Sequence, residues 1–126
     1  MAKYQFRVEV EQRFLPEQSA ASQGVFSFSY TITITNSGEV PAQLISRHWV
    51  ISNSAGEVEE VKGLGVVGQQ PLLKPGEAFQ YSSGCRLRTA TGTMQGIYFC
   101  VAEDGERFEV QVPPFMLDDG AHRVLH

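Results

Sequence analysis

Gly63, Gly65 and Gly68 spell G-x-G-x-x-G, a spacing that is associated with nucleotide binding. In dinucleotide-binding proteins a helix opens on these glycines, and its N-terminal amides receive the pyrophosphate. Here Pro71 and Pro75 follow within a few residues, and neither fits inside a helix that begins at the glycines. We therefore expect this segment to be a loop or a bulged strand of a β protein.

The three glycines have two interpretations. In the functional one, consecutive backbone amides form a nest for a phosphate group, and nearby basic residues complement its charge. The candidates are Gly63, Gly65 and Gly68 with Lys62 and Arg86, and Lys74 and Arg88 are also near in sequence. In the structural one, the glycines permit positive φ, a bulge or close sheet contact. A lone G-x-G-x-x-G without its helix favours structure, and the lack of G-K-[ST] excludes a P-loop.

A second group of candidates is Arg47-His48-Trp49. A Trp in mid-strand is most often a core anchor, because it buries a large apolar area. Arg47 shares the face of Trp49, so its charged end must reach a sheet edge or make a structural hydrogen bond. His48 has the opposite parity, and it is either a surface binding residue or a cross-strand partner.

Catalytic and metal-binding patterns are weak in this sequence. Ser82-Ser83-Gly84 lacks the G-x-S-x-G of a nucleophile elbow. Cys85 needs a nearby His to lower its pKa, and His48 is the only candidate. The histidines are scattered, with His122 and His126 in the tail, and no C-x-x-C occurs. The acidic run Glu57, Glu59 and Glu60 is typical of a solvated strand edge. We predict no catalytic residues, no metal site and no cofactor.

Length and charge exclude further classes. The 126 residues suit one domain with one core, and the net charge of −4 argues against a nonspecific nucleic-acid binder. No run of eighteen apolar residues is present, and the N-terminus lacks an apolar signal core. We expect a cytoplasmic protein that contacts neither nucleic acid nor membrane. In that compartment Cys85 and Cys100 are free thiols.

These residues must be positioned by strands, because period-2 alternation dominates the chain. The cleanest example runs from Phe26 to Thr35, where aromatic and β-branched residues alternate with Ser and Thr. By the same parity Ile45, Trp49 and Ile51 share one face. Seven or eight short strands without a long helical pattern predict an all-β antiparallel sandwich or barrel. We expect one domain over residues 1–116 and a loose tail over residues 117–126.

Several segments together resemble the ApaG family of small bacterial proteins, whose domain also recurs inside larger eukaryotic proteins. The matching segments are FSFSYTITITNSG, LISRHWVI, GLGVVGQQPLLKPGE, FQYSSG, GTMQGIYF and VPPFML. The resemblance implies an immunoglobulin-like or fibronectin-type-III-like β-sandwich. It also implies a link to cobalt resistance and magnesium efflux, and protein contacts in the eukaryotic relatives. No catalytic residues come with the family.

The leading functional hypothesis is therefore a non-enzymatic interaction module. Its partner would be another protein or a second copy, contacted through a sheet edge or through apolar residues left outside the core. We expect those residues to be Phe14, Leu15, Phe115 and Met116. The alternative is a binder of a small anion such as nucleotide or pyrophosphate over residues 63–68.

Overall fold

A computed structural model describes residues 2–120 as eight strands in two facing antiparallel sheets. The strands are β1 (Phe6–Phe14), β2 (Phe26–Asn36), β3 (Ala42–Asn53), β4 (Val58–Leu64), β5 (Leu72–Leu73), β6 (Ala78–Leu87), β7 (Thr91–Ala102) and β8 (Arg107–Asp118). Two short 3-10 turns, Pro16–Gln18 and Ala21–Gln23, join β1 to β2. The predicted all-β sandwich is confirmed.

The two sheets differ in size. One has the order β1-β2-β6, and the other has the order β4-β3-β7-β8 with β5 pairing with β3. All strand pairs are antiparallel. Along β2 the apolar members of the alternation, Phe28, Tyr30, Ile32 and Ile34, are buried between the sheets. The pattern arises because one face of the strand meets the core and the other meets water.

The centre of the core is an aromatic cluster around Trp49, which is 2% exposed. Its ring lies 5.9 Å from the rings of Tyr30 and Tyr98 and 6.4 Å from that of Phe115, measured between centroids. These rings meet edge to face or nearly so, which is the favoured geometry for aromatic pairs. The prediction that Trp49 anchors the core is confirmed.

The two flanks of the sandwich are closed differently. On one flank β1 lies beside β8, where the ring of Phe108 contacts those of Tyr4 and Phe6 at 5.8 and 5.7 Å. On the other flank the edge strands are β6 and β4. A hollow of about 220 Å³ lies there, lined by residues of both strands. Apolar contacts therefore seal one flank, and the second is more open.

A β-bulge in β3 corrects one prediction. The pairing of β3 with β7 shifts register between Leu44 and Ser46, so Ile45 is the extra residue. Leu44 is consequently buried in the core, while Ile45 is only partly buried and lines a hollow on the outer surface. The prediction that Ile45 shares the face of Trp49 is wrong, because one inserted residue reverses the parity of the strand before it.

The predicted tail also begins too early. β8 continues to Asp118, and Leu117 pairs with Gly92 and is fully buried. The two residues after Met116 therefore belong to the sheet, because the core extends beyond the Pro113-Pro114 pair. Residues 121–126, including His122 and His126, lie outside the described part of the chain.

Candidate functional site

The glycine segment forms the end of β4 and a tight turn. Val66 and Gln69 exchange backbone hydrogen bonds of 2.8 and 2.9 Å around the central residues Val67 and Gly68. Both central residues have positive φ, 43° and 79°, as in a type I′ hairpin turn. No helix opens here, so the expectation of a loop in a β protein is confirmed.

The first two glycines allow close packing. A Cβ on Gly63 would lie 2.9 Å from Nη1 of Arg47, and one on Gly65 would collide with the carbonyl of Gln69. Gly65 also has positive φ, 65°. The glycine spacing therefore serves the fold, as the structural interpretation predicted.

Arg47 explains how the segment is held. Its Nη1 donates to the carbonyls of Leu64 at 3.2 Å and Gly65 at 2.9 Å. The amide of Gly65 donates to Ile45 O at 2.7 Å, and Gln70 Nε2 donates to the same carbonyl at 2.9 Å. The prediction of a structural hydrogen bond at Arg47 is confirmed, and it fixes the turn to β3.

The proposed anion-binding residues are not brought together. Lys62 points outward from β4 and lines a hollow with Gly63, whereas Arg86 is on β6 and lines a different one. The amides of Gly65, Val66 and Gln69 already donate to backbone carbonyls. Within residues 2–120, Val67 and Gly68 are the amides of this turn without an acceptor. Anion binding stays a prediction, and in this turn these two amides are the ones available to donate to an anion.

The turn displays apolar side chains instead. Leu64, Val67 and Leu72 are 74%, 52% and 60% exposed. A β-branched residue at positive φ is rare because its side chain crowds the backbone. Val67 therefore combines an unfavourable backbone conformation with an exposed isopropyl group. Strain of this kind is concentrated at functional sites, so this turn is a candidate for one.

Leu64 and Leu72 belong to a larger apolar surface on the outer face of the five-stranded sheet. Cross-strand pairing puts Leu64 and Phe99 on either side of Ser46, and Leu72 and Val101 on either side of Gln43. Phe99 lies between two hollows of about 540 and 420 Å³ and contributes to both. We call Leu64, Leu72, Phe99 and Val101 the outer apolar surface.

Polar side chains rim this surface. His48 and Glu60 are joined by a contact of 2.7 Å between Nε2 and Oε1, so His48 is a cross-strand partner, one of its two predicted roles. Lys62 lines the smaller hollow, and Arg107 and Glu109 line the larger one. An apolar centre with a polar rim is the usual anatomy of a protein interface.

Sequence reasoning missed the outer apolar surface. It expected the exposed apolar residues to be Phe14, Leu15, Phe115 and Met116. Phe14 instead packs on Phe28 with ring centroids 5.4 Å apart, and Phe115 packs on Trp49. Of the four, Met116 is largely exposed, at 55%. The signal available was residues 97–101, IYFCV, which are apolar on both faces although only one face is covered by the second sheet.

The candidate nucleophiles are not assembled for catalysis. Ser82 lies in mid-strand, where its hydroxyl bonds with Thr31 at 2.7 Å. Burial, with a smaller contribution from Glu59, raises the pKa of Cys85 to about 11. His48 is on the outer face of the opposite sheet, so it is not a base for Cys85. Within residues 2–120 no three His, Cys, Asp or Glu side chains cluster as metal ligands would. No helix in that range is long and apolar enough to cross a bilayer.

Comparison with known proteins identifies the family. The model of the ApaG domain matches residues 16–102. This chain is an ApaG-family protein. It is 68% identical to Protein ApaG of Acidovorax sp. (strain JS42) and 57% identical to that of Ralstonia nicotianae, each over the full length of both chains. Its structure superposes on a crystal structure of the ApaA protein of Bordetella pertussis with a TM-score of 0.91 and 55% identity. That match covers 93% of this chain and 95% of the other, so the sandwich is the ApaG fold over nearly its whole length.

Proposed function

We propose that this ApaG-family chain is a non-enzymatic interaction module that binds a partner protein through the outer apolar surface. The carrying observation is that Leu64, Leu72 and Phe99 lie exposed on one uncovered sheet face, beside two hollows. Large exposed apolar side chains in such a cluster mark protein contacts. Two hollows on either side of one aromatic ring suit two apolar anchor side chains.

The charges at the rim specify the chemistry of the partner. Within the described residues Lys62 has no acidic partner, whereas His48 is already engaged by Glu60. A carboxylate beside an apolar anchor would satisfy Lys62 as the anchor fills the smaller hollow. The partner we propose is therefore an exposed protein segment with apolar side chains flanked by acidic ones.

The cobalt and magnesium association of the family fits this role indirectly. The described residues offer no cluster of metal ligands. We propose that any effect on metal resistance passes through the partner, in the cytoplasm, and not through a metal bound to this domain.

Replacing Leu64 by serine tests the proposal. The purified chain is used to capture a partner from native lysate, and the partner is then purified and its affinity measured. Leu64→Ser should weaken binding at least tenfold, about 1.4 kcal/mol, and Lys62→Glu should weaken it by repelling the acidic flank. Val58→Ser is the matched control, because Val58 is 63% exposed on the same face at the other end of β4.

Two results would refute the interaction module. One is equal affinity of the Leu64→Ser and Val58→Ser variants, with both folded by circular dichroism. The other is turnover of a small molecule by the pure chain.

The alternative is small-anion binding over residues 63–68, with the amides of Val67 and Gly68 as donors and Lys62, which is near in sequence, as the cation. Calorimetry with ATP, diadenosine polyphosphates and pyrophosphate tests it. Heat that is lost in Lys62→Ala would support the alternative, and no heat at millimolar ligand would end it.

A further inference from the structure

The free edge of β6 lacks the protection that the other sheet edges have. β1 carries Arg7, Glu9, Glu11 and Arg13, β4 carries Glu59, Glu60 and Lys62, and β8 contains Pro113 and Pro114. Charges and prolines on an edge prevent pairing with another chain. β6 has neither a charge nor a proline from Ala78 to Cys85. Among residues 2–120 its one strand partner is β2, on the other side.

β6 also lies on the more open flank of the sandwich. Phe79 and Cys85 face inward with the core, yet both are only half-buried. On the opposite flank the rings of Tyr4, Phe6 and Phe108 cover the equivalent gap. An added strand beside β6 would supply the missing cover.

We propose that β6 pairs with β6 of a second copy of this chain, antiparallel about a two-fold axis at Ser82. Residues opposite each other in an antiparallel pair share a face, so their numbers must sum to an even value. Centring on Ser82 aligns most of the strand and sets Phe79 opposite Cys85 of the second copy. The two half-buried apolar side chains then cover each other twice, once on each side of the axis.

The remaining pairs are compatible with this register. Gln80 meets Gly84, Tyr81 meets Ser83, and Ala78 meets Arg86, so no like charges are opposed. Ser82, Ser83 and Gly84 are small at the point where the chains approach most closely. Because one strand pair buries less area than a standard interface, the dimer is weak and depends on concentration. This dimer is independent of the partner surface proposed above, which lies on the other sheet.

Sedimentation equilibrium from micromolar to millimolar protein tests the dimer. The unmodified chain should shift from monomer to dimer over this range. Ser82→Lys places two ammonium groups opposite each other at the axis and should weaken association at least tenfold, with partial recovery at high salt. Thr33→Lys is the matched control, since Thr33 is on the same sheet face but on the central strand, and it should dimerise normally.

Cysteine cross-linking tests the register. When the oxidant diamide is added, the Ser82→Cys variant should form a disulfide-linked dimer readily. In the proposed register the introduced thiol lies opposite the same thiol of the second copy, at the two-fold axis. Gln80→Cys alone should link far less, since its opposite residue is Gly84, and a mixture of Gln80→Cys and Gly84→Cys should link well. A chain that stays monomeric at millimolar concentration, or equal linking by Ser82→Cys and Gln80→Cys, would overturn the proposal.

Discussion

At the residue scale, the lack of a side chain at Gly96 leaves room for the Trp49 ring to pack against β7. A Cβ on Gly96 would lie 2.6 Å from Cε3 of Trp49 and 2.7 Å from the carbonyl of His48. Since both neighbours are fixed, we expect Gly96→Ala to lower the free energy of unfolding by about 1–3 kcal/mol.

Urea denaturation followed by tryptophan fluorescence measures this loss. Gly84→Ala is the control, because its nearest neighbour, the carbonyl of Phe28, is 3.6 Å away. That variant should be neutral or slightly more stable, and equal losses in the two variants would contradict the packing argument.

At Val67 the backbone conformation should decide how a substitution changes stability. Asn tolerates positive φ better than a β-branched residue, so Val67→Asn should raise the free energy of unfolding by about 1 kcal/mol. Val58→Asn provides the comparison, since Val58 is also more than half exposed but lies in an ordinary strand, and it should bring no gain. Thermal and urea unfolding of the two variants measure the difference, and destabilisation by Val67→Asn would show that the turn is not strained.

The thiols of Cys85 and Cys100 should lower the free energy of unfolding as the pH becomes alkaline. Burial raises the pKa of Cys85 to about 11 and that of Cys100 to about 12, whereas an unfolded thiol ionises at about 8.5. The folded chain thus retains protons that the unfolded chain releases. The stability that the two neutral thiols contribute is fully present below the unfolded thiol pKa. It is lost as the pH rises from there through the folded pKa values of Cys85 and Cys100.

Urea midpoints measured from neutral to alkaline pH should show this decline. Cys85→Ser removes one ionising group, so its curve should fall less steeply. A parallel curve for that variant would mean that Cys85 does not contribute. The same raised pKa predicts slow reaction of native Cys85 with thiol reagents at neutral pH.

At the element scale, the bulge at Ile45 separates two neighbouring residues by environment. Leu44 is fully buried, and Ile45 is partly exposed on the outer face. We expect Leu44→Ala to cost about 2–5 kcal/mol of stability, but Ile45→Ala to cost about 1 kcal/mol or less. Chemical denaturation of the two variants decides the matter, and the reverse order would mean that the strand has no bulge.

The strands differ in how far sequence could predict them. β2 alternates without interruption, so its buried face follows directly from its residues. β3 does not, because one inserted residue is invisible to a period-2 pattern and depends on the pairing with β7. β7 is apolar on both faces from Ile97 to Val101, and such a run does not tell which face meets the core.

At the scale of the whole molecule, the sealed and open flanks should differ in local stability. The β1 and β8 edges are joined by aromatic contacts, whereas no strand in the described part of the chain pairs with the outer edge of β6. In dilute protein we expect amides on the free side of β6 to exchange hydrogen first, and those of β2 and β7 last. Exchange measured by mass spectrometry or NMR tests this order, and late exchange along β6 in the monomer would contradict it.

The two-sheet class followed from many short alternating segments, but its assembly did not. No local pattern predicts that β6 pairs with β2, or that β4 and β5 pair with β3, because these pairings link residues that are distant in sequence. The candidate surface was missed for the same reason, since Leu64 and Phe99 become neighbours only through the shared strand β3. Phe115 was misplaced because β8 continues past two prolines, which an edge strand tolerates.

Within residues 2–120 the Arg47 guanidinium bonds to two neutral carbonyl oxygens and pairs with no acidic side chain, so protonation of an acid would not release it. Guanidinium stays charged at any physiological pH, and dipolar partners are less sensitive to added salt than ion pairs. The segment that displays Leu64 should therefore keep its shape across wide changes of acidity and ionic strength, and the partner surface that we propose would persist with it.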